Sequence, residues 1–240
     1  MTKNLNLKTI AIICARGGSK GLPRKNLKLL DGHPLIGRVV KQAIESDCID
    51  NVIVTTDDQE IASTAKEYGA EIPFIRPAAL AEDLTTTEDT LKHALLTYEE
   101  LNKVKYDICV FLTPTDIFRQ SEWICEAVNL LKEFPDLESA FVGHQTHKNF
   151  WEQQQDGSWV RVRSWMANYS SRQVRRSIVR EDTGLACASR AWLWREGRRI
   201  GDKVSIIVND DDFTGIDIHN QADLDLAEAA IQIRKISRNE

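Results

Sequence analysis

The feature that most constrains this chain is a glycine-rich, strongly basic segment that directly follows a short apolar run. The run TIAIIC, residues 9–14, is unbroken and rich in β-branched side chains, which is typical of a buried parallel strand. The glycines just after it, Gly17, Gly18 and Gly21, allow the backbone to turn sharply and approach an anion closely. The same segment concentrates positive charge, which favours a ligand with several phosphates. Four cations lie within ten residues, namely Arg16, Lys20, Arg24 and Lys25.

The charge balance of the whole chain makes this cluster of cations informative. The chain is acidic overall, with 36 Asp plus Glu against 31 Lys plus Arg and a formal net charge of −5. That balance argues against general nucleic-acid binding. The segment contains neither the G-x-x-x-x-G-K-[ST] motif of P-loop proteins nor a G-x-G-x-x-G motif. A nucleoside triphosphate is therefore the leading ligand, and a solvated basic turn is the alternative.

The order of the predicted elements indicates an α/β fold. Short apolar runs predict strands at 9–15, 52–56, 71–75, 107–112 and 138–143. Helical patterns lie between them, at 33–46, 59–68, 85–102 and 121–133. Asp57 and Asp58 are expected to cap the second helix, and Thr85 with Glu88 to form a capping box for the third. Such βα units predict a mainly parallel sheet with helices on both faces, and ligands at the carboxyl ends of its strands.

The alternation of strands and helices is interrupted between residues 144 and 200, where tryptophan and arginine are frequent. We expect residues 1–240 to form a single domain with an excursion at 144–182, and the sheet to resume at 204–208 before a helix at 221–236. Within the excursion, GSWVRVRSW alternates like an exposed hairpin strand. Tryptophan and arginine are typical of protein interfaces. A solvated basic face and a site for single-stranded nucleic acid are the alternatives.

Several classes of protein do not fit the sequence. No apolar stretch approaches the length of a bilayer-spanning helix, and the N-terminus MTKNLNLKTIAII lacks the layout of a signal peptide. We therefore expect a cytoplasmic protein that does not associate with membranes. The five cysteines form no C-x-x-C pair and are predicted to be reduced thiols. None of the histidines has partners at the spacing of a zinc site.

Residues 15–26, ARGGSKGLPRKN, resemble the signature loop of the CMP-sialic acid synthetases, or CMP-nonulosonate cytidylyltransferases. Residues 70–86 resemble the RP-x-x-LA-x-D stretch of that family, and FLTPTDIFR at 111–119 resembles its LLQPTSPLR segment. Residues 172–184 resemble its RQ…R-x-NG block, and IDIHNQADL at 216–224 resembles IDID-x-x-x-DL. The resemblance implies a Rossmann-like nucleotidyltransferase that transfers CMP from CTP to the anomeric hydroxyl of an acidic 2-keto-3-deoxy sugar and releases pyrophosphate. It also implies a homodimer in which the excursion lends basic residues to the partner's sugar site.

The resemblance also assigns site residues. Arg16 and Lys20 are expected to act on the phosphates as catalytic residues, together with Asp217. Asn26 is expected to bind ribose or phosphate or to cap the following turn, while a surface ion pair is the alternative for Arg76 and Asp83. The positions implied for nucleotide and sugar binding are Ala15, Arg16, Gly17, Gly18, Ser19, Lys20, Lys25, Asn26, Arg76, Asp83, Thr113, Arg119 and Gln173.

The metal site implied by the resemblance is altered in this chain. The two aspartates of IDID hold Mg²⁺ in the family, and here they correspond to Asp217 and His219. Magnesium prefers oxygen ligands to imidazole. Three interpretations follow: one carboxylate completed by water and phosphates, a softer metal such as Mn²⁺, or impaired catalysis. Asp116 or the run 210–212 could supply a carboxylate instead, although that run is also typical of a solvated loop.

The sugar pocket departs further from the family pattern. Thr113 stands where LLQPTSPLR has glutamine, and residues 183–187, TGLAC, replace N-G-A-I-Y. Because those family positions help to bind the acylamino sugar, an unusual sugar is expected. A related nucleotidyltransferase with another acid or nucleotide is one alternative. A non-catalytic nucleotide-binding paralogue is the other.

Overall fold

A computed structural model describes residues 7–171 and 173–237. Its strands are β1 (Thr9–Cys14), β2 (Leu29–Leu30), β3 (His33–Pro34), β4 (Asn51–Thr55), β5 (Ile108–Leu112), β6 (Ser139–Thr146), β7 (Trp151–Gln153), β8 (Trp159–Arg161), β9 (Ile178–Glu181), β10 (Cys187–Arg190) and β11 (Val204–Asn209). Its helices are α1 (Leu35–Ile44), α2 (Gln59–Glu67), α3 (Thr87–Asn102), α4 (Ser121–Glu133), α5 (Ala191–Glu196) and α6 (Gln221–Ser237).

Within the described residues, seven strands form the central sheet, in the order β11-β6-β10-β5-β1-β4, with β9 paired to β6. Strands β4, β1 and β5 are parallel to one another, and β11 is parallel to β6. Strand β10 is antiparallel to both β5 and β6, so those two strands run in the same direction. Only β9 and β10 among these seven strands oppose that direction. The predicted α/β fold with a mainly parallel sheet is therefore confirmed.

The unbroken apolar sequence of β1 is explained by burial on both faces of the sheet. Ala11 and Ile13 pack in a cluster with α1, α2 and α4 on one face. Ile10 and Ile12 pack with α3 and α5 on the other face. All four side chains are fully buried. Since neighbouring residues of a strand point to opposite faces, a strand covered on both sides needs apolar residues at every position.

A third apolar cluster joins distant parts of the chain beneath the glycine-rich loop. Helix α6 packs there against Leu22 of the loop, Ile117 and Phe118 after β5, and Ile218 of the IDIH segment. Ile117 and Phe118, which depart from the family motif, are buried in this cluster. The packing of α6 therefore fixes the IDIH segment beside the glycine-rich loop.

Some local predictions were wrong in detail. The strand expected at 71–75 is only a single bridge between Glu71 and Ile53, because Pro73 has no N–H with which to continue the ladder. Helix α3 is capped by Thr86, which accepts a hydrogen bond from the Asp89 N–H, one residue after the expected cap. Strands β9 and β10 were not predicted. They are four residues each, too short to show a clear period.

The excursion begins as an extension of the sheet. Strand β6 continues to Thr146 and pairs with β9. The β7–β8 hairpin lies between these two strands in the sequence. Strand β8 falls within GSWVRVRSW, so a hairpin strand is confirmed there. Large apolar side chains are exposed on this segment: Trp151, Trp159, Val160, Tyr169 and Val174. None of the helices within 7–171 and 173–237 is long and apolar enough to cross a membrane.

Candidate active site

The candidate site forms where the carboxyl ends of three parallel strands meet. Cys14 at the end of β1 lies opposite Thr55 of β4, and Ile13 lies opposite Leu112 of β5. The glycine-rich loop, residues 15–26, leaves β1 at this edge. Because residues that follow parallel strands collect at one edge of the sheet, the loop meets the segments after β4 and β5 there.

The glycines of the loop allow close contact with neighbouring protein atoms. The Gly17 N–H donates to Asp57 Oδ1 at 2.9 Å, and a Cβ on Gly17 would lie 2.8 Å from Asp58 Oδ2. A Cβ on Gly21 would collide with the carbonyl oxygen of His219, whereas a Cβ on Gly18 would have no atom of the described residues within 4 Å. Gly17 and Gly21 thus fit the loop against α2 and the IDIH segment. Asp58, as predicted, caps α2, whereas Asp57 binds the loop.

The loop borders a cleft of about 340 Å³, here called the loop cleft. It is lined by the loop, by the segment after β5 and by His219. The lining residues are Cys14, Arg16, Ser19, Lys20, Gly21, Lys25, Asn26, Thr113, Pro114, Thr115 and His219. Ala15 lies beneath the cleft and donates its N–H to the Thr55 carbonyl at 3.1 Å. Asn26 is buried and donates to the Arg16 carbonyl at 3.0 Å, so it closes the loop as well as lining the cleft.

The loop cations have different partners. Arg16 lies 3.2 Å from the carboxylate of Asp83, and Lys20 forms a closer ion pair with the same carboxylate. The hydrogen bond from Lys20 lowers the pKa of Asp83. Lys25 donates to the Ile218 carbonyl at 2.8 Å, and burial lowers its pKa. Arg24 pairs with acidic side chains of the α2 segment, outside the cleft lining. Arg16 and Lys20 are therefore the cations already engaged with an anion at the cleft.

Arg76 and Gln173 do not line the cleft. Arg76 is buried, and its Nε donates to Thr55 Oγ1 at 3.2 Å while Nη2 donates to the Thr55 carbonyl. It therefore holds the end of β4. Gln173 is exposed on the excursion, and its neighbour Arg172 lies outside the described residues.

Arg119 is a buried side chain that supports the segments around the site. Its Nη2 donates to the Thr113 carbonyl at 2.9 Å and also to the Gly184 carbonyl. Its Nε donates to the Leu185 carbonyl, and Nη1 donates to Gln42 Oε1 at 3.1 Å. Burial lowers the pKa of Arg119 to about 10, since a charged guanidinium is poorly solvated there. This side chain fixes the segment after β5 to the segment before β10.

A second cleft of about 500 Å³, here called the Arg180 cleft, shares Thr113 and Thr115 with the first. It is lined by Thr87, Phe111, Thr113, Thr115, Asp116, Arg180, Glu181, Asp182, Thr183, Gly184, Arg199, Thr214, Gly215 and Asp217. Arg180 forms two hydrogen bonds with Asp182, at 2.7 and 2.8 Å. The clefts therefore adjoin along the segment after β5.

Arg199, which no sequence motif identifies, has longer contacts with its acidic neighbours than Arg180 has in the Arg180 cleft. Its guanidinium lies over the ring of Phe111, 5.0 Å from the centroid. It is 3.5 Å from Glu88 and 3.7 Å from Glu181, and its Nε is buried without a hydrogen-bond partner among the described residues. The side chain thus retains donor capacity at this cleft.

Two aspartates meet where the clefts adjoin. Asp116 and Asp217 form an antiparallel β-bridge, and both line the Arg180 cleft. Burial raises the pKa of Asp116 to about 6, and repulsion from Asp217 adds to that rise. Asp217 Oδ1 is buried and has no hydrogen-bond partner within the described ranges, whereas Oδ2 lies 2.9 Å from His219 Nε2. From the sequence, Asp116 is only an alternative ligand. Its position just after a buried strand is nevertheless a sequence feature that predicts a site residue.

Within the acidic run at residues 210–212, at least one carboxylate binds partners outside the clefts. Asp211 caps a short 3₁₀ turn by accepting from the Phe213 N–H, and it also pairs with Arg234. Within 7–171 and 173–237, no group of three or more His, Cys, Asp or Glu side chains could hold a metal ion by itself. A cation here would therefore need ligands from bound substrate or water.

A family model described as cytidylyltransferase matches residues 10–196, more than three quarters of the chain. The CMP-N,N'-diacetyllegionaminic acid synthase of Legionella pneumophila is 38% identical over 126 residues, which cover 52% of this chain and 54% of that protein. The N-acylneuraminate cytidylyltransferase of Escherichia coli is 40% identical over 126 residues, 52% of this chain and 29% of that protein. The chain thus spans about half the length of the first relative and less than a third of the second.

Other similarities extend over nearly the whole chain. The post-translational flagellin modification protein B of Campylobacter coli is 27% identical over 95% of this chain and 96% of its own length. A solved structure of CMP:2-keto-3-deoxy-manno-octonic acid synthetase complexed with CTP has a TM-score of 0.69 at 16% identity, covering 95% of this chain and 99% of that one. At 16% identity, this likeness shows only that the two proteins share a fold. The family model, which matches more than half of the chain, shows that this chain belongs to the cytidylyltransferase family, as the resemblance of its motifs predicted.

Proposed function

We propose that this protein transfers CMP from CTP to the anomeric hydroxyl of an acidic 2-keto-3-deoxy sugar, such as sialic acid or a related nonulosonic acid, and releases pyrophosphate. The observation that carries the proposal is the pair of adjoining clefts, one bordered by the cations of a glycine-rich loop and one by two arginines. The names of the relatives support the choice of acceptor, since they include enzymes that act on diacetyllegionaminic acid and N-acylneuraminate.

In this proposal the triphosphate of CTP lies in the loop cleft. Arg16 and Lys20 line that cleft and pair with the carboxylate of Asp83, which phosphate oxygens would replace. The N–H groups of Gly18 and Lys20 donate no backbone hydrogen bond among the described residues, so they can also serve phosphate. Guanidinium, ammonium and amide donors together match the charge and shape of an oligophosphate.

The acidic sugar would lie in the Arg180 cleft. Arg199 is its proposed carboxylate ligand, because its side chain lines this cleft and comes no closer than 3.5 Å to Glu88 and 3.7 Å to Glu181. From that cleft the anomeric hydroxyl would reach the α-phosphate across the edge that Thr113 and Thr115 share. Pyrophosphate would leave in line on the opposite side. The chain's contribution is then mainly positioning and charge neutralisation, as in other phosphoryl transfers.

The proposed reaction uses a divalent cation, Mg²⁺ or alternatively Mn²⁺. The environment of Asp217 suits a ligand of that cation. Its Oδ1 is buried without a partner among the described residues, which is unfavourable for a carboxylate unless a cation is bound. Lys25 holds this segment to the loop through the Ile218 carbonyl. When bound, the cation would neutralise charge on the reacting phosphates.

The decisive experiment measures pyrophosphate release. The protein would be incubated with each of the four nucleoside triphosphates and with Mg²⁺ or Mn²⁺. The acceptors would be a panel of 2-keto acid sugars, each tested as the free acid and with its carboxylate blocked. Release that requires both CTP and a free carboxylate supports the proposal. Release with another nucleotide or acid would identify a related nucleotidyltransferase. Nucleotide binding with no release in any combination would identify a non-catalytic paralogue. Use of CTP would also fit the cytoplasm as the compartment.

The loop cations are expected to dominate CTP affinity. Arg16→Ala or Lys20→Ala each removes one charge-assisted contact, so each should weaken CTP binding by about 1.5–3 kcal/mol, measured by isothermal titration calorimetry. The matched control is Lys66→Ala, because Lys66 is an exposed lysine on α2 away from both clefts. Equal CTP affinity in the wild type and both loop variants would contradict this assignment.

A homodimer through the excursion is also proposed. Trp159 is 58% exposed and Val160 is 43% exposed on the β7–β8 hairpin. Exposed aromatic and β-branched side chains of this kind are typical of interfaces. Two-fold pairing would bring the arginines of the excursion towards the partner, as the resemblance implies.

Disrupting that hairpin should give monomers. Trp159→Ser with Val160→Ser removes apolar surface that a dimer would bury, so light scattering at micromolar concentration should change from the dimer mass to the monomer mass. Trp192→Ser is the control, since Trp192 is 40% exposed on α5, outside the excursion. A wild-type protein that is already monomeric with full sugar turnover would rule the dimer out.

A further inference from the structure

Three departures from the family motifs meet at one place in the structure. Thr113 replaces the glutamine of LLQPTSPLR, Asp116 replaces its serine, and His219 replaces the second aspartate of IDID. Thr113 and Asp116 lie about one hundred residues before His219 in the chain. In the fold, Thr113 Oγ1 donates to Asp116 Oδ2, Asp116 bridges to Asp217, and Asp217 contacts His219. The three changed positions are therefore linked through one unchanged aspartate, Asp217.

Asp116 is held firmly in this position. Besides its bond to the Thr113 hydroxyl, its own N–H donates to Thr113 Oγ1 at 3.3 Å. A Cβ on Gly184 would collide with Asp116 Oδ2, so the absence of a side chain there makes room for the carboxylate. The adjacent Ile218 N–H donates to the Thr115 carbonyl at 3.4 Å, which keeps the two segments paired. The geometry thus presents two carboxylates side by side at the Arg180 cleft.

His219 occupies a different position from a carboxylate ligand. Its side chain is 70% exposed, and its Nε2 lies 2.9 Å from Asp217 Oδ2. That contact leaves Asp217 Oδ1, the buried atom without a partner in the described residues, as the atom available to a cation. An imidazole that binds a ligating carboxylate in this way orients it.

We propose that Asp116 supplies the second carboxylate of the divalent-cation site, in place of the aspartate that this chain lacks at position 219. His219 is then a positioning residue that orients Asp217. The inference rests on the proposed function and extends it to the ligand set. Two carboxylates form a hard oxygen site, which suits Mg²⁺ better than a site of one carboxylate and one imidazole. The cation would lie nearer the end of β5 than a pair at 217 and 219 would place it.

The test measures metal binding without turnover. Purified full-length protein would be titrated with MnCl₂ alone, and free Mn²⁺ followed by electron paramagnetic resonance. Asp116→Asn keeps an oxygen that can accept the Thr113 bond but removes the charge, and it should weaken Mn²⁺ binding at least ~10-fold, since even partners of metal ligands contribute about 10–100-fold. Asp212→Asn is the control, because Asp212 is an exposed carboxylate of the neighbouring acidic run and should bind Mn²⁺ like the wild type.

A carboxylate exchange makes the test specific. Asp116→Ser restores the family residue and should lose Mn²⁺ binding, while Asp116→Ser combined with His219→Asp should recover it to within about 3-fold of the wild type, as two carboxylates are present again. Thermal melting by circular dichroism checks that each variant is folded, and only folded variants are compared.

Two results would overturn the inference. One is wild-type Mn²⁺ affinity in folded Asp116→Asn, and the other is a double variant that binds no better than Asp116→Ser. Failure of the proposed function has a different signature, because wild-type protein would then release no pyrophosphate with CTP and any acid. Pyrophosphate release by the wild type together with unchanged Mn²⁺ binding in Asp116→Asn would reject only the ligand assignment.

Discussion

Replacing Asp217 by asparagine is expected to lower the rate of pyrophosphate release at least ~100-fold, because loss of a cation ligand removes several kcal/mol of charge stabilisation at the reacting phosphates. The carboxylate lies at the edge between the two clefts, and its Oδ1 is buried without a partner among the described residues. Asparagine has nearly the same shape, so the fold should be retained. The measurement is steady-state pyrophosphate release at saturating CTP and sugar, with a circular dichroism spectrum of each protein.

The control for Asp217→Asn is Asp136→Asn, which removes an exposed carboxylate between α4 and β6. That variant should keep wild-type turnover. Near-normal turnover of Asp217→Asn at saturating Mg²⁺ would show that the cation site is built without this residue. A variant that turns over slowly and also fails to fold would be replaced by Asp217→Glu, which retains the charge and should keep more activity than the asparagine variant.

Replacing Arg119 by methionine is expected to lower the free energy of unfolding by about 3–5 kcal/mol. Methionine fills much of the same volume but leaves the carbonyls of Thr113 and Leu185 without their side-chain donor, while the Gly184 carbonyl keeps only the Thr113 N–H. Arg119 is 5% exposed, so water cannot readily replace the lost hydrogen bonds. Urea denaturation followed by tryptophan fluorescence would measure the loss.

The outcome for Arg119 also separates two roles. Direct sugar binding, which the family resemblance implies, would raise the KM for the sugar in Arg119→Met and leave the unfolding free energy unchanged. Support of the cleft walls would lower stability and impair both substrates together. The control is Arg198→Met, which breaks an exposed ion pair with Asp202 and should change stability by less than about 1 kcal/mol.

Local sequence patterns predicted the parts of the fold that depend on local interactions. The apolar residues of β1, buried on both faces, predicted a central strand, and Asp58 predicted the start of α2 because a cap bonds to N–H groups two and three residues away. The same approach was wrong for Thr85, where the adjacent Thr86 offers an equivalent hydroxyl. It also missed β10, whose four residues are identified as a strand only by pairing with β5 and β6.

The sequence by itself determined the α/β architecture, the cytidylyltransferase family and the cationic loop, because each is encoded in contiguous residues whose spacing reflects a helix, a strand or a turn. Only the tertiary structure decided which side chains act together at the site. Lys25 bonds to Ile218 across 193 residues, and Arg119 bonds to Leu185 across 66. The partners of a buried charge are set by which segments the sheet and α6 bring together, and no local pattern records them. For the same reason Asp116 was one alternative among several in the sequence but lies beside Asp217 in the fold.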